Sequence, residues 1–376
     1  MTKVSAKQIA NPPLQLGGNH FVERNKESFF NLFGQPIYSG KHSVNACILH
    51  SKYADVNPLV GTLEQTSKKL KVDLTIKKIE IPMFKDRDVI SGMERAIKTY
   101  EEINILMIVI PNNLKTAYPR LKQELLTIKC GKEMLSQFVV DNTLKKKGAQ
   151  SIHTKLLLQM IAKRGNILWV PSFGKEMSAA LNGTCIMGID SASKGGISVM
   201  AGCATTNSTF SLLASSTIGL KGPEKKFTDM LSVATKCVDG YAARNKRAPE
   251  ELIIFMLAVP GDQVNLLQDN FCKPLEEKVN NSYSCQIRLT VAMVNLRNNE
   301  RFFSQGHEAR NVPPGTLVSS QIVSKNYDFF IVSQQSTKGS VVPNHYKVIH
   351  SNSKIQDGQL QELIFAQCFN LSLIHI

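Results

Sequence analysis

No two of the eight cysteines form a CxxC pair, and no two of the eight histidines form an HxxxH pair. A structural zinc site, which needs clustered soft ligands, is therefore not expected. Several cysteines sit inside apolar runs, so reduced, mostly buried thiols in a cytoplasmic or nuclear protein are the expectation. No apolar stretch approaches the roughly 20 residues needed to span a bilayer. The opening MTKVSAKQIANPPLQ also lacks the apolar core of a secretory signal. Acidic side chains are scarce too: 30 Asp and Glu against 45 Lys and Arg leave a formal charge of +15. That excess points to a polyanionic partner. It is lopsided, with 26 basic and 14 acidic residues in 1–168 but 19 and 16 in 169–376, so the basic footprint belongs to the first part. Apolar residues are plentiful at 43% of 376 residues, enough for two ordinary domains.

The first forty residues are polar and poorly periodic, and read as a linker over 1–43. Strand and helix signals then alternate. VNACILH (44–50), LTIKKIEIP (74–82), INILMIVIP (103–111) and QFVVD (137–141) read as strands. Helices are expected over 58–70, 89–100, 118–126 and 153–163, the last ended by Gly165. INILMIVIP is the most apolar run and fits a strand buried on both faces. Strands alternating with crossover helices imply an open, mostly parallel sheet.

A second block starts near Ile167. GTCIMGID (183–190), ISVMAGCAT (197–205) and TFSLLASSTIG (209–219) read as neighbouring strands. A long amphipathic helix over 227–245 and the buried strand LIIFMLAVP (252–260) follow. Strands are further expected over 287–294, 315–323, 327–334 and 345–351, and a helix over 358–368. Three strands, then helix and strand, is the order of a ribonuclease-H-like sheet.

SQFVVDNTLKKKGAQSIHTKLLLQMIAKRGNILW (136–169) resembles the MID–PIWI junction of the Piwi branch of Argonaute proteins. The later RFF, PPGT, DFFIVS and PNHY elements, within 299–353, resemble that family's C-terminal half in order and spacing. The resemblance covers about residues 44–370. It implies an α/β fold: a Rossmann-like MID domain over 44–168, followed by a ribonuclease-H-like PIWI domain over 169–376. Full members also carry N and PAZ domains and a longer C-terminus, so a fragment is the expectation.

The resemblance assigns Tyr118, Lys122, Gln137 and Lys163 to the guide 5′-phosphate. Tyr118 would stack on the first base, the lysines would neutralise the phosphate, and Gln137 would donate a hydrogen bond. A phosphate dianion needs several converging donors, and residues four apart on a helix share a face. Spacing alone also fits an ordinary solvated helix face. The Lys145–Lys147 run reads as a solvated loop.

Ribonuclease-H-type cleavage holds two Mg²⁺ ions between carboxylates. Asp190 matches the family's first catalytic aspartate and His345 the last member of the set, with both as metal ligands. By position alone, Asp190 fits a strand-end turn equally well. Glu224 is the candidate for the loop glutamate. The second aspartate is replaced by Leu257, or by Ala258 if the register slips by one, and Asp262 comes about five residues late. The resemblance thus implies a piRNA-like guide-binding protein of gene silencing that pairs its guide with target RNA and lacks efficient slicing. Mg²⁺ is expected at the 5′-phosphate and, if the centre is active, at the slicer site. Two alternatives stay open: a Mg²⁺-dependent slicer using an unusual residue set, and an interaction scaffold. Trp-bearing or Tudor-type proteins are further expected partners.

Overall fold

A computed structural model of the chain describes residues 2–22, 36–40, 43–83, 85–128, 134–220, 227–257, 263–306, 310–324, 327–336 and 339–370. They divide into two compact units, one holding 14–22 and 36–170 and the other 2–13 and 171–370.

In the first unit, strands β1 (Ser43–His50), β2 (Asp73–Glu80), β3 (Ile105–Ile110) and β4 (Leu135–Val140) form one sheet in the order β2-β1-β3-β4. Every pairing is parallel. Between them run α1 (Asn57–Lys69), α2 (Asp86–Thr99), α3 (Tyr118–Thr127) and, after β4, α4 (Ala149–Lys163). This is the expected doubly wound α/β layout. All six residues of β3 are buried, because strands flank it and helices cover both faces. Met93, Leu121 and Leu125 pack with Ile108 and Ile110 on one side. Gly165 has a positive φ of 79° and ends α4 as its sequence position suggests.

In the second unit, β5 (Thr184–Lys194), β6 (Ile197–Thr205) and β7 (Leu213–Leu220) form an antiparallel meander, followed by α5 (Phe227–Asn245). Strand β8 (Glu251–Leu257) then lies parallel to β5, and β9 (Arg288–Asn295) parallel to β8 after helix α6 (Lys273–Tyr283). Strands β10 (Thr316–Val318), β11 (Asp328–Ile331) and β12 (Asn344–Ser351) complete the sheet before α7 (Asp357–Gln367). The order is ribonuclease-H-like, as expected. Leu252, Ile254 and Met256 of β8 alternate into the core formed with α5 and α6. Helix α5 lies so close to the sheet that a Cβ on Gly202 would stand 2.5 Å from Val233.

Several boundaries differ from expectation. Strand β7 begins at Leu213 because the Asn207 carboxamide accepts from the N–H groups of Ser211 and Leu212 and holds 207–212 as a turn. Strand β10 stops at Val318, and Ser324 instead donates its N–H and hydroxyl to the Asp328 carboxylate. The stretch 1–43, expected as a linker, carries a two-residue strand, Lys7–Gln8, paired with Leu317 and Thr316, and buries Leu14, Leu16 and Ile37. Its apolar residues are too sparse to show a period. Cys47, Cys185, Cys237 and Cys272 are buried free thiols; Cys130 lies outside the described residues. Burial pushes the thiols of Cys47, Cys185 and Cys272 up to about 12, so they are unreactive. No helix among the described residues is long and apolar enough to cross a membrane.

Candidate functional site

The four residues expected at a phosphate come together around β4, an edge strand. Successive side chains of a strand point to opposite faces. Ser136 and Phe138 therefore face α3, while Gln137 faces the end of α4. Helix α3 starts at Tyr118 with Pro119 in its first turn, which pre-sets the helical φ. One turn later Lys122 reaches the strand, and its Nζ donates to Ser136 Oγ at 2.6 Å. From the opposite face Lys163, the last residue of α4, donates to the Ser136 carbonyl at 2.9 Å and to Gln137 Oε1 at 2.7 Å. The Tyr118 ring sits edge-on to Phe138, with centroids 5.1 Å apart, and stays 43% exposed.

The electrostatics of this cluster are unfavourable as it stands. Burial pushes the Lys163 ammonium down to about 8, and the neighbouring charge of Lys122 pushes the same way. Burial also lowers Lys122. Among the described residues neither lysine has a carboxylate partner within ion-pair distance. Two desolvated like charges sharing neutral acceptors form a site that an anion would stabilise. With no carboxylate, the donor set fits an oxyanion directly and does not itself fit Mg²⁺. Ser136 and Phe138 were not singled out from the sequence. A serine and a phenylalanine in a strand carry no signal of their own, and only the pairing of β4 with β3 and its flanking helices reveals them. Lys145, Lys146 and Lys147 are exposed, as a solvated loop should be.

The expected acid centre is built differently. Asp190 lies exposed on β5, its Oδ1 accepting from the N–H of Ser191. Met256 of β8 pairs with Ile189, so the next position along the parallel register sets Leu257 beside Asp190. Leu257 is the last residue of β8 and is 40% exposed. A leucine carries no oxygen to bridge a cation. Glu224, Ala258 and Asp262 lie outside the described residues.

His345 is the second residue of β12, where it pairs with Asn295 and with Phe330 and stacks on the Phe330 ring at 4.1 Å. Its Nε2 lies 3.5 Å from Asp328 Oδ2 without hydrogen-bond geometry. The next residue, Tyr346, is the one that meets Phe255, two residues before Leu257 on β8. Strand alternation thus turns His345 away from the face that Asp190 and Leu257 share. Asp328, buried at 6% exposure and held by Ser324, is a neighbour of His345 that sequence reasoning missed. Among the described residues no three His, Cys, Asp or Glu side chains gather as a metal site. The described residues therefore do not fit a two-Mg²⁺ centre.

The sequence matches the Piwi domain over residues 105–375. It is 30% identical to Piwi-like protein 1 of Gallus gallus over 277 residues, 71% of this chain and 31% of that protein. Drosophila Piwi superposes with a TM-score of 0.82 at 20% identity, covering 98% of this chain and 50% of that one. The Kluyveromyces polysporus Argonaute solved with a guide RNA gives 0.79 at 20% identity, over 96% and 49%. At such identity the structural likeness carries the fold alone. The chain spans about a third of the length of the curated relatives it matches.

Proposed function

Because the chain belongs to the Piwi-domain family, we propose that it holds a small, piRNA-like guide RNA by its 5′-phosphate and pairs it with complementary target RNA, without efficient slicing. In this reading residues 44–168 are the MID domain that grips the guide end, and 169–376 the PIWI domain. The observation that carries it is the pair of lysines, Lys122 and Lys163, brought from helices on opposite faces of one strand onto Ser136 and Gln137 with no acid among the described residues to balance them. A phosphate dianion entering there would restore both ammonium groups and give each a charge-assisted hydrogen bond.

Gln137 would turn its amide donor to the phosphate once the phosphate oxygens replaced its carbonyl as acceptor for Lys163. The exposed Tyr118 ring offers a face to the first base. Sequence choice would come from guide–target base pairing, the protein contacting backbone. Leucine beside Asp190 supports binding without cleavage.

The test is paired titration of guide-length RNA, 5′-phosphorylated against 5′-hydroxyl, with Mg²⁺ present and salt held constant because nonspecific affinity for a basic protein depends on it. A marked preference for the phosphate is expected, with complementary RNA left uncut. Equal affinities would overturn the reading.

A further inference from the structure

Among the described residues around β4, Ser136 is the one that touches both lysines. Its Oγ accepts from Lys122 Nζ at 2.6 Å, and its carbonyl accepts from Lys163 Nζ at 2.9 Å. Two residues on, Phe138 touches the other α3 residue of the site, its ring set at 87° to that of Tyr118.

The match is one of spacing. A crossover helix between two parallel strands runs antiparallel to them, so α3 passes over β4 from Phe138 toward Ser136 as it goes from Tyr118 to Lys122. Four residues of helix rise about 6 Å, and two residues of strand about 6.7 Å. Tyr118 and Lys122 therefore each meet a β4 side chain of their own. Gln137, between the two, points to the opposite face and meets Lys163.

Stability alone would not select the serine contact. Ser136 is only 2% exposed, and burial lowers the Lys122 ammonium seated on it. An aliphatic side chain in place of that lysine would carry no such cost. What the hydroxyl supplies is position. A lysine is a point charge on a flexible stem, and one accepted N–H holds it while leaving two N–H groups to donate. The Tyr118 ring stays 43% exposed, and the edge-on Phe138 ring fixes its plane without covering it. Groups whose freedom is already lost bind a ligand more tightly than groups that must be ordered by it.

We infer that Ser136 and Phe138 are positioning residues of the 5′-end site. Ser136 holds the Lys122 ammonium where the phosphate enters, and Phe138 holds the Tyr118 ring where the first base stacks. The inference rests on the guide-binding reading above and adds two residues to it.

Two preferences, titrated in one buffer, separate the roles: 5′-phosphorylated over 5′-hydroxyl guide-length RNA, and an ordinary first nucleotide over an abasic one. Ser136→Ala should cut the first preference by about 2- to 12-fold, the loss of one hydrogen bond, because it leaves the backbone carbonyl that Lys163 uses. Phe138→Leu should cut the second by about 2- to 12-fold, the worth of one edge-on ring pair. Each variant should move its own preference and not the other, which a general loosening of β4 would not do. Ser136→Thr and Phe138→Tyr, which keep the hydroxyl and the ring, should restore the two preferences. Melting curves check folding. Should Ser136→Ala melt early, Ser136→Cys keeps the shape with a weak acceptor and should show the same loss. No phosphate preference in the unaltered protein would overturn the guide-binding reading and this inference with it. A phosphate preference that survives Ser136→Ala and Ser136→Cys, or a first-base preference that survives Phe138→Leu, would overturn this inference alone. Both preferences falling together in either variant would do the same.

Discussion

The two units each present charged groups along a strand, and they are unfinished in opposite ways. Around β4, Lys122 and Lys163 crowd together without an acid partner among the described residues. On β5, Asp190 stands with Leu257 next in register, and among the described residues no three His, Cys, Asp or Glu side chains gather as a metal site. Surplus like charge is unfavourable until a ligand of opposite sign arrives, so the first arrangement stores a demand for an anion. A lone exposed carboxylate is content in water and stores none. The comparison teaches that an incomplete charge set marks a binding site only when burial makes the incompleteness costly.

The sharpest way to break that contrast is to remove the surplus. Lys163→Ala or Lys122→Ala should each cost about 1.5–3 kcal/mol in affinity for 5′-phosphorylated RNA, the range for a hydrogen bond to a charged group. The same variants should leave 5′-hydroxyl RNA nearly unaffected in parallel titrations. Equal losses for both RNAs would mean the lysines act as ordinary surface charge.

A comparable effect, confined to the other unit, is expected from Gly202→Ala. A Cβ there would meet Val233 at 2.5 Å and push α5 from the sheet, an overpacking cost of about 1–3 kcal/mol. Thermal melting should show the loss. If phosphate preference fell with it, the two regions would be less separate than described.

The pH dependence sharpens the comparison further. Lys163 titrates near 8 in the fold, below its ordinary 10.5. Between those values the unfolded chain holds more protons, so this lysine's contribution to stability rises with pH across that window. Phosphate binding needs the protonated amine, and the phosphate is already a dianion above its second pKa of about 6. Affinity for 5′-phosphorylated RNA should therefore fall as pH rises through 8 while the free protein becomes more stable. Parallel titrations and melts from pH 7 to about 10 would read both trends, and a flat affinity would remove Lys163 from the contact.

The smallest effect belongs to Leu257→Asp. The side chain is 40% exposed, so stability should change by only about 0.5 kcal/mol, as at most surface positions. With Asp190 alongside, Mg²⁺ should then raise the melting temperature slightly, and should leave that of the unaltered protein unchanged. An indifferent variant would place the missing carboxylate at another position.

Much of this was legible in the chain. Ile105–Ile110 fitted a strand covered on both faces, since six consecutive apolar residues have no solvent side. The 3.6-residue period marked α5 from Phe227 to Asn245, and the family-like spacing of PPGT, DFFIVS and PNHY ordered the second unit. Turns that cut expected strands short, at Asn207 and at Ser324, were not legible. Their hydrogen bonds run between side chain and backbone and leave no periodic trace.

Residue order alone set the alternation of elements, the basic bias of the first part, the leucine at 257, and the identity of two lysines and a glutamine. Tertiary structure decided which face each one uses. Strand alternation sent Ser136 toward Lys122 and Gln137 toward Lys163, and it turned His345 onto Phe330 while Tyr346 joined Phe255. It also left Thr184 with a buried hydroxyl that has no hydrogen-bond partner among the described residues. Such outcomes depend on which strands pair and in what register, and a one-residue shift in pairing reverses every face.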